Sequence, residues 1–118
     1  MFKIMIVDDS LFMRDRLSKL LTSNGYETIL AENGEQAVDI YRQAQPDVVL
    51  MDITMPRKDG LEALAEIREL DSSAKVIMLT AIGQGLAVSQ AMSAGAKDFV
   101  EKPVSPDQLL MVLQKALQ

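Results

Sequence analysis

The stretch Val48-Val49-Leu50-Met51-Asp52 decides the fold. Four apolar residues in a row are typical of a strand that is buried on both faces, as in a parallel sheet covered by helices. The fifth residue is an acid at the end of that strand, where an open parallel sheet forms its ligand-binding crevice. A buried acid is unfavourable unless it is paired or binds something. The stretch therefore predicts a central strand and a candidate site at Asp52.

The composition is that of one ordinary globular domain, and it excludes several kinds of site. The chain has 118 residues and is 48% hydrophobic, which is enough for a single core. It contains no cysteine, which excludes disulfides and zinc-thiolate sites, and no histidine, which excludes a Ser-His-Asp triad and histidine metal sites. The net charge of −5 argues against a nucleic-acid partner. No apolar run approaches the roughly 20 residues of a membrane span, and no signal peptide precedes the first strand, so we expect a cytoplasmic protein.

The apolar pattern predicts five alternations of strand and helix. The predicted strands are residues 3–7, 27–31, 48–52, 75–79 and 98–100. The stretches between them carry apolar residues at helical spacing; in the first stretch these are Met13, Leu17, Leu20 and Leu21. Ser105 and Pro106 mark the start of the last helix, where Gln108 is placed to complete a capping box. This alternation predicts an α/β fold: a five-stranded parallel sheet with helices on both faces and right-handed crossovers.

Polar residues end four of the predicted strands, and the carboxyl ends of parallel strands lie along one edge of the sheet. Asp8 and Asp9 follow the first strand, Asp52 ends the third, and Thr80 and Lys102 end the fourth and fifth. Three close carboxylates repel one another, and Mg²⁺, which prefers oxygen ligands, relieves that repulsion. Lys102 and Thr80 offer an ammonium and a hydroxyl to a phosphoryl group. Together these groups predict a phosphoryl-transfer site in which Asp52 is the nucleophile that forms an acyl phosphate.

Each of these residues also has a plainer interpretation. Taken alone, Asp8 and Asp9 suit the cap of the first helix, and Asp52 suits a turn. Thr80 suits an ordinary β-branched strand residue, and Lys102 suits an exposed strand end. Only the full set, with each member at its own strand end, favours a functional site.

The motifs that carry these residues resemble the receiver domain of bacterial two-component response regulators over essentially the whole chain. The matching motifs are Ile6-Val7-Asp8-Asp9-Ser10, Met51-Asp52-Ile53-Thr54-Met55-Pro56, Asp59-Gly60, Leu79-Thr80-Ala81, Gly95-Ala96-Lys97-Asp98-Phe99 and Lys102-Pro103. Among receivers, the chain is most similar to single-domain chemotaxis receivers of the CheY type. The resemblance implies a flavodoxin-like (βα)5 fold of strand order 2-1-3-4-5, with residues 1–118 forming one receiver domain and no output domain.

The resemblance also implies a role for each site residue. Asp52 is expected to accept a phosphoryl group from a partner histidine kinase. The expected ligands of Mg²⁺ are three carboxylates and one main-chain carbonyl, from Asp8, Asp9, Asp52 and Thr54. Thr80 and Lys102 are expected to contact the phosphoryl group, and the Lys102–Pro103 peptide bond is expected to be cis.

A phosphorylation switch is part of what the resemblance implies. Phosphorylation adds about −1.5 to −2 charges, which would draw Thr80 toward the new oxygens and leave space for Phe99 to fill. This movement would repack the face formed by the fourth helix, fifth strand and fifth helix, where a downstream protein would bind. The pathway could be chemotaxis, or another phosphorelay, transcriptional or developmental pathway. We expect a monomeric switch rather than an enzyme, because it catalyses only its own phosphorylation and dephosphorylation.

Two other functions remain open. One is a Mg²⁺-dependent phosphohydrolase, since Asp52-Ile53-Thr54 is superficially similar to the motif of haloacid-dehalogenase phosphatases, although those have a second Asp where this chain has Thr54. The other is a receiver fold kept purely as a binding module. The presence of the acids together with Thr80 and Lys102 disfavours that second alternative.

Overall fold

A computed structural model describes residues 1–118 as five strands and five helices in strict alternation. The strands are β1 (Lys3–Val7), β2 (Glu27–Ala31), β3 (Val48–Asp52), β4 (Val76–Thr80) and β5 (Asp98–Glu101). The helices are α1 (Leu11–Ser23), α2 (Gly34–Ala44), α3 (Gly60–Leu70), α4 (Gly85–Ser93) and α5 (Pro106–Leu117). All pairings are parallel in the order β2-β1-β3-β4-β5, which confirms the predicted topology.

The core lies on both faces of the sheet, as the unbroken apolar runs of the strands predict. Every residue of β3 and β4 is buried. Alternate residues along the strands, such as Met51 and Met78, pack against α2, α3 and α4. The residues between them, such as Leu50 and Leu79, pack against α1 and α5. Two apolar layers therefore hold the central strands and fix where their carboxyl ends lie.

Side-chain caps start four of the five helices. The capping side chains, which accept hydrogen bonds from main-chain N–H groups in the first turn, belong to Ser10, Asn33, Asp59 and Ser105. The predicted capping box at α5 is wrong, because Ser105 accepts from the N–H of Gln108 while the Gln108 side chain returns no bond. A complete capping box lies instead at the start of α3, between Asp59 and Glu62.

Helix α4 is the least anchored of the five. It contains one buried residue, Ala91, whereas each other helix contains three or four. The loop before it includes Gly83, whose φ of 91° is in the left-handed region that favours glycine. Ile82 and Leu86, in and after that loop, are 79% and 75% exposed. The helix beside the end of β4 is thus the one that can move at the lowest cost in buried apolar surface.

The ends of some elements differ slightly from the predicted ones. Strand β4 begins at Val76, one residue later than predicted, although the carbonyl of Lys75 still accepts a hydrogen bond from the N–H of Val49. Strand β5 ends at Glu101, one residue later than predicted. No helix combines the length and the apolar composition that a membrane crossing requires.

Candidate functional site

The predicted acids meet at the carboxyl edge of the sheet. Carboxylate oxygens of Asp8, Asp9 and Asp52 all lie within 4.8 Å of one another. Asp8 and Asp52 are 1% and 7% exposed, whereas Asp9 faces solvent. Thr80, at the end of the neighbouring strand, is 1% exposed. The structure therefore brings these predicted residues together at one end of β1, β3 and β4.

Lys102 completes the cluster from β5. Its Nζ atom lies 3.3 Å from Oδ2 of Asp8 and 3.3 Å from Oδ1 of Asp52. The main-chain N–H of Lys102 donates a hydrogen bond to the carbonyl of Thr80 at 2.6 Å. The main chain at Lys102 therefore still pairs with β4, although β5 itself ends at Glu101. The Lys102–Pro103 bond is cis, as predicted. Lys102 is therefore not a plain exposed strand end but the cation that two carboxylates share.

Hydrogen bonds from Ser10 and Arg14 hold Asp8 in the loop after β1. The N–H of Ser10 donates to Oδ1 of Asp8 at 2.9 Å, while the hydroxyl of Ser10 caps α1. The cap of α1 is therefore Ser10 and not the two acids, so their carboxylates are not used to cap the helix. Arg14 Nη1 donates to the main-chain carbonyl of Asp8 at 2.6 Å.

Arg14 was missed in the sequence analysis, although a signal for it exists. Its side chain is buried, and its Nη2 atom lies 3.9 Å from a carboxylate oxygen of Glu32. Arg14 precedes the buried Leu17 and Leu21 by three and seven residues, so helical periodicity places it on the inner face of α1. A charged residue on an inner face predicts a specific partner, because a buried charge must be paired.

The end of β3 is fixed by close packing against the start of α3. The N–H of Ile53 donates to the carbonyl of Leu79 at 3.2 Å, and the N–H of Gly60 donates to the carbonyl of Ile53 at 2.7 Å. A Cβ atom at Gly60 would overlap the carbonyl oxygen of Asp52. Glycine at this position therefore lets α3 approach the main chain of the central acid.

A side chain that no sequence pattern indicated bridges the mouth of the site. Nε2 of Gln84 donates to the hydroxyl oxygen of Thr54 at 2.8 Å, and Oε1 of Gln84 accepts from the N–H of Ala81 at 2.6 Å. Phe99 is 40% exposed on β5. The positions of these two side chains depend on how β5, α4 and two loops pack together. The spacing of residues along the sequence does not specify that packing.

Burial and the charges of the cluster shift two pKa values. Burial raises the pKa of Asp52 and the charges of Asp8 and Asp9 act in the same direction, while Lys102 opposes them. Burial also acts to lower the pKa of Lys102, but attraction to Asp52 and Asp8 outweighs it and the pKa of Lys102 is raised. At neutral pH the cluster therefore holds a firmly protonated ammonium beside Asp52, an acid that burial makes costly to ionise.

The donor set suits a hard divalent cation. Three carboxylates that can each offer one oxygen to a common point are the ligands that Mg²⁺ and Ca²⁺ prefer. With cysteine and histidine absent from the chain, softer metals have no thiolate or imidazole ligand here. The acid cluster can hold a metal ion, and the single ammonium neutralises only part of its charge.

Comparison with known proteins decides the family. A family model described as "Response regulator receiver domain" matches residues 4–114, which is nearly the whole chain. The chain belongs to this family. The receiver motifs identified in the sequence lie inside the matched range.

Relatives of the receiver include several chemotaxis proteins. It is 48% identical to the chemotaxis protein CheY of Bacillus subtilis, over 98% of this chain and 97% of that protein. It is 45% identical to the chemotaxis protein CheY of Thermotoga maritima, over 96% of this chain and 95% of that protein. A solved structure of the CheX-CheY-BeF3-Mg²⁺ complex from Borrelia burgdorferi contains a chain that is 38% identical. That chain superposes with a TM-score of 0.94, and the match covers 99% of this chain and 90% of that one. The receiver is thus a homologue of CheY, a phosphorylation-activated response regulator.

The raised pKa of Asp52 makes a prediction about stability. The folded receiver holds a proton on Asp52 more tightly than the unfolded chain does, so this group favours folding below pH 3.8 and disfavours it once the pH exceeds its folded pKa. Asp52→Asn is therefore expected to raise the free energy of unfolding by about 1 to 2 kcal/mol at pH 7 in the presence of EDTA.

Urea unfolding of both proteins, with pH and Mg²⁺ varied, measures this difference. The difference should shrink as the pH falls toward the ordinary pKa of an aspartic acid, and also when Mg²⁺ is added, because the ion stabilises the ionised form. An Asp52→Asn variant that is no more stable than wild type at pH 7 without metal would contradict the assignment of a raised pKa.

Proposed function

We propose that Asp52 of the receiver accepts a phosphoryl group from a histidine kinase in a Mg²⁺-dependent reaction and that the modified receiver then binds a downstream protein. The observation that carries this proposal is the position of Lys102 Nζ, 3.3 Å from carboxylate oxygens of both Asp52 and Asp8. An ammonium shared by two buried acids lies where it can move to a phosphoryl oxygen once one acid is phosphorylated. Burial raises the pKa of Asp52, and a buried acid with a raised pKa next to a specific charge partner is typical of functional sites.

The ligands of Mg²⁺ would be the carboxylates of Asp8, Asp9 and Asp52 and the main-chain carbonyl of Thr54. When bound, Mg²⁺ supplies positive charge that offsets the repulsion among the carboxylates and toward the incoming phosphoryl oxygens. The buried position of Asp8 and the two hydrogen bonds that hold it, from Ser10 and Arg14, support a preformed arrangement of ligands. Exposed Asp9 lies at the solvent side, where an ion enters.

In the transfer, an ionised oxygen of Asp52 forms a bond to phosphorus as the bond from phosphorus to the imidazole nitrogen of the kinase breaks. Lys102 neutralises charge on the phosphoryl oxygens, and the hydroxyl of Thr80 donates a hydrogen bond to one of them. Lys102 also favours the ionised form of Asp52 before the reaction, against the effect of burial. The residues thus contribute positioning and charge, which are the main requirements of phosphoryl transfer.

The switch follows from the same residues. Thr80 is buried beside the site, and Phe99 is 40% exposed on the adjacent strand β5. Movement of Thr80 toward the phosphoryl group leaves space on its other side, into which Phe99 turns. The surface formed by α4, β5 and α5 changes shape as a result, and this surface is the proposed binding face for the downstream protein. Weak anchoring of α4 supports this assignment.

We assign the receiver to chemotaxis, on the basis of its identity to CheY proteins over nearly their full length. In this role it is a single-domain, monomeric and cytoplasmic protein without a nucleic-acid partner. It is a switch rather than an enzyme, since the chemistry at Asp52 changes only the receiver itself.

Intact-mass measurement after incubation with Mg²⁺ and acetyl phosphate tests the proposal. Wild type is expected to gain one acid-labile phosphoryl group, and Asp52→Asn is expected to gain none. Asp39→Asn, a change at an exposed acid on α2, is the matched control and should behave as wild type. An absence of any adduct on wild type, or an adduct that persists on Asp52→Asn, would exclude Asp52 as the acceptor. Rapid multiple turnover of general phosphate esters would favour a phosphohydrolase instead.

A further inference from the structure

Gln84 ties together the two loops that flank Asp52. Its Nε2 donates to the hydroxyl oxygen of Thr54 at 2.8 Å, and its Oε1 accepts from the N–H of Ala81 at 2.6 Å. Thr54 lies two residues after Asp52, and Ala81 directly follows Thr80. We call this pair of hydrogen bonds the Gln84 latch. The latch connects the loop after the proposed phosphoacceptor to the loop after the proposed switch threonine.

Within the latch, the bond from Gln84 to Thr54 is the only side-chain hydrogen bond that joins residues 81–94 to another part of the chain. Gln84 precedes α4, yet its side chain makes no capping bond to that helix. Gly83 beside it has open space around its Cα, and Ala91 is the one buried residue of α4. Apart from the packing of Ala87, Val88 and Ala91 against the core, the bond to Thr54 is what holds this segment to the loop after β3.

We propose that the Gln84 latch stabilises the unphosphorylated arrangement of the receiver and opens when Asp52 is phosphorylated. The proposal rests on the proposed function, in which Thr80 moves toward the phosphoryl group. The nitrogen of Ala81 is bonded directly to the carbonyl carbon of Thr80, so movement of Thr80 withdraws the N–H from Oε1 of Gln84. The hydrogen bonds lost oppose the switch, and the latch therefore sets how readily the active arrangement forms.

Removing the latch should make the phosphoryl-bound arrangement easier to reach. Gln84→Met keeps the length of the side chain and removes both the donor and the acceptor. This variant is expected to bind beryllofluoride, which stands in for the phosphoryl group on Asp52, about 5-fold more tightly than wild type at the same Mg²⁺ concentration. The affinity is measured by NMR titration, which suits a chain that lacks tryptophan.

Thr54→Val tests whether Gln84 acts through the loop after Asp52. This change keeps the shape of the side chain but removes the hydroxyl that Gln84 binds. An increase in beryllofluoride affinity of about 2-fold is expected, and Gln84→Met combined with Thr54→Val should gain no more than Gln84→Met alone. A gain that is additive would show two independent effects and would contradict the latch.

Gln90→Met is the matched control, because Gln90 is exposed on α4 and its side chain makes no hydrogen bond. It should bind beryllofluoride as wild type does. If Gln84→Met binds no more tightly than Gln90→Met, the latch proposal is overturned. Should Gln84→Met fail to fold, Gln84→Ala gives the same test, and Thr54→Val decides the question alone if both fail. A wild-type receiver that binds no beryllofluoride would instead overturn the proposed function.

Discussion

Gly60→Ala is expected to lower the free energy of unfolding by about 3 kcal/mol or more. A Cβ atom at this position would overlap the carbonyl oxygen of Asp52 and lie 2.8 Å from the Cα of Ile53. Both neighbours are main-chain atoms at the end of a fully buried strand, so no side-chain rotation can relieve the overlap. Either α3 must move away from the sheet or the end of β3 must shift, and each movement disturbs the core.

Gly85→Ala is the control for this prediction. Gly85 is likewise the first residue of a helix, but a Cβ atom there would meet nothing within 4 Å. Because alanine also favours helix more than glycine does, this variant should match wild type or gain up to about 1 kcal/mol. Urea unfolding of the two variants compares them directly. Equal stability of Gly60→Ala and Gly85→Ala would mean that α3 does not pack against Asp52 as the structure shows.

Lys102→Met is expected to slow phosphorylation by acetyl phosphate by a factor of about 10² or more, while the binding of Mg²⁺ becomes about 10-fold tighter. The two effects have opposite signs because the ammonium has two roles. Before the reaction it lies 3.3 Å from Asp8 and Asp52 and competes with the metal ion for their charge. During the reaction it is a positive charge for the phosphoryl oxygens, which methionine cannot replace.

Mg²⁺ titration and the rate of mass gain measure these two effects separately. Lys97→Met is the matched control, since Lys97 is an exposed lysine just before β5 and makes no ion pair. It should leave both quantities near their wild-type values. A Lys102→Met variant that is phosphorylated at the wild-type rate would show that the ammonium does not act on the phosphoryl group.

The residue pattern was sufficient for the fold class, a parallel sheet covered on both faces, because the composition of each central strand indicates whether its faces are buried. Val48 to Met51 carry no polar residue, which is possible only where both faces of a strand are covered, and β3 is indeed buried throughout. The same reasoning placed Asp8, Asp52, Thr80 and Lys102 at one edge, since parallel strands share the direction in which they end. Sheet order came from the resemblance to a family, because alternation alone does not specify which strands are neighbours.

What the sequence did not reveal are contacts between side chains of separate elements. The bridge that Gln84 makes depends on two loops that are brought together only by packing. Gly60 appeared in the sequence only as part of a matching motif, whereas its importance lies in the space it leaves for the main chain of Asp52. Arg14 could have been found from helical spacing, because it shares the buried face of α1 with Leu17 and Leu21. The apolar pattern instead assigned the neighbouring Met13 to that face. Local patterns thus indicated the acids and missed the residues that hold them.

The position of Lys102 late in the chain has a consequence for how the protein is made. Asp8, Asp9 and Asp52 are synthesised in the first half of the chain, whereas their ammonium partner is 94 residues away from Asp8. A nascent chain that has reached β4 already contains the three acids and the four strands β1 to β4, without that cation. We expect such a chain, while it is still on the ribosome, to depend on dissolved cations to keep the acids from repelling one another. The site gains the ammonium that offsets part of this charge only when translation passes the end of β5.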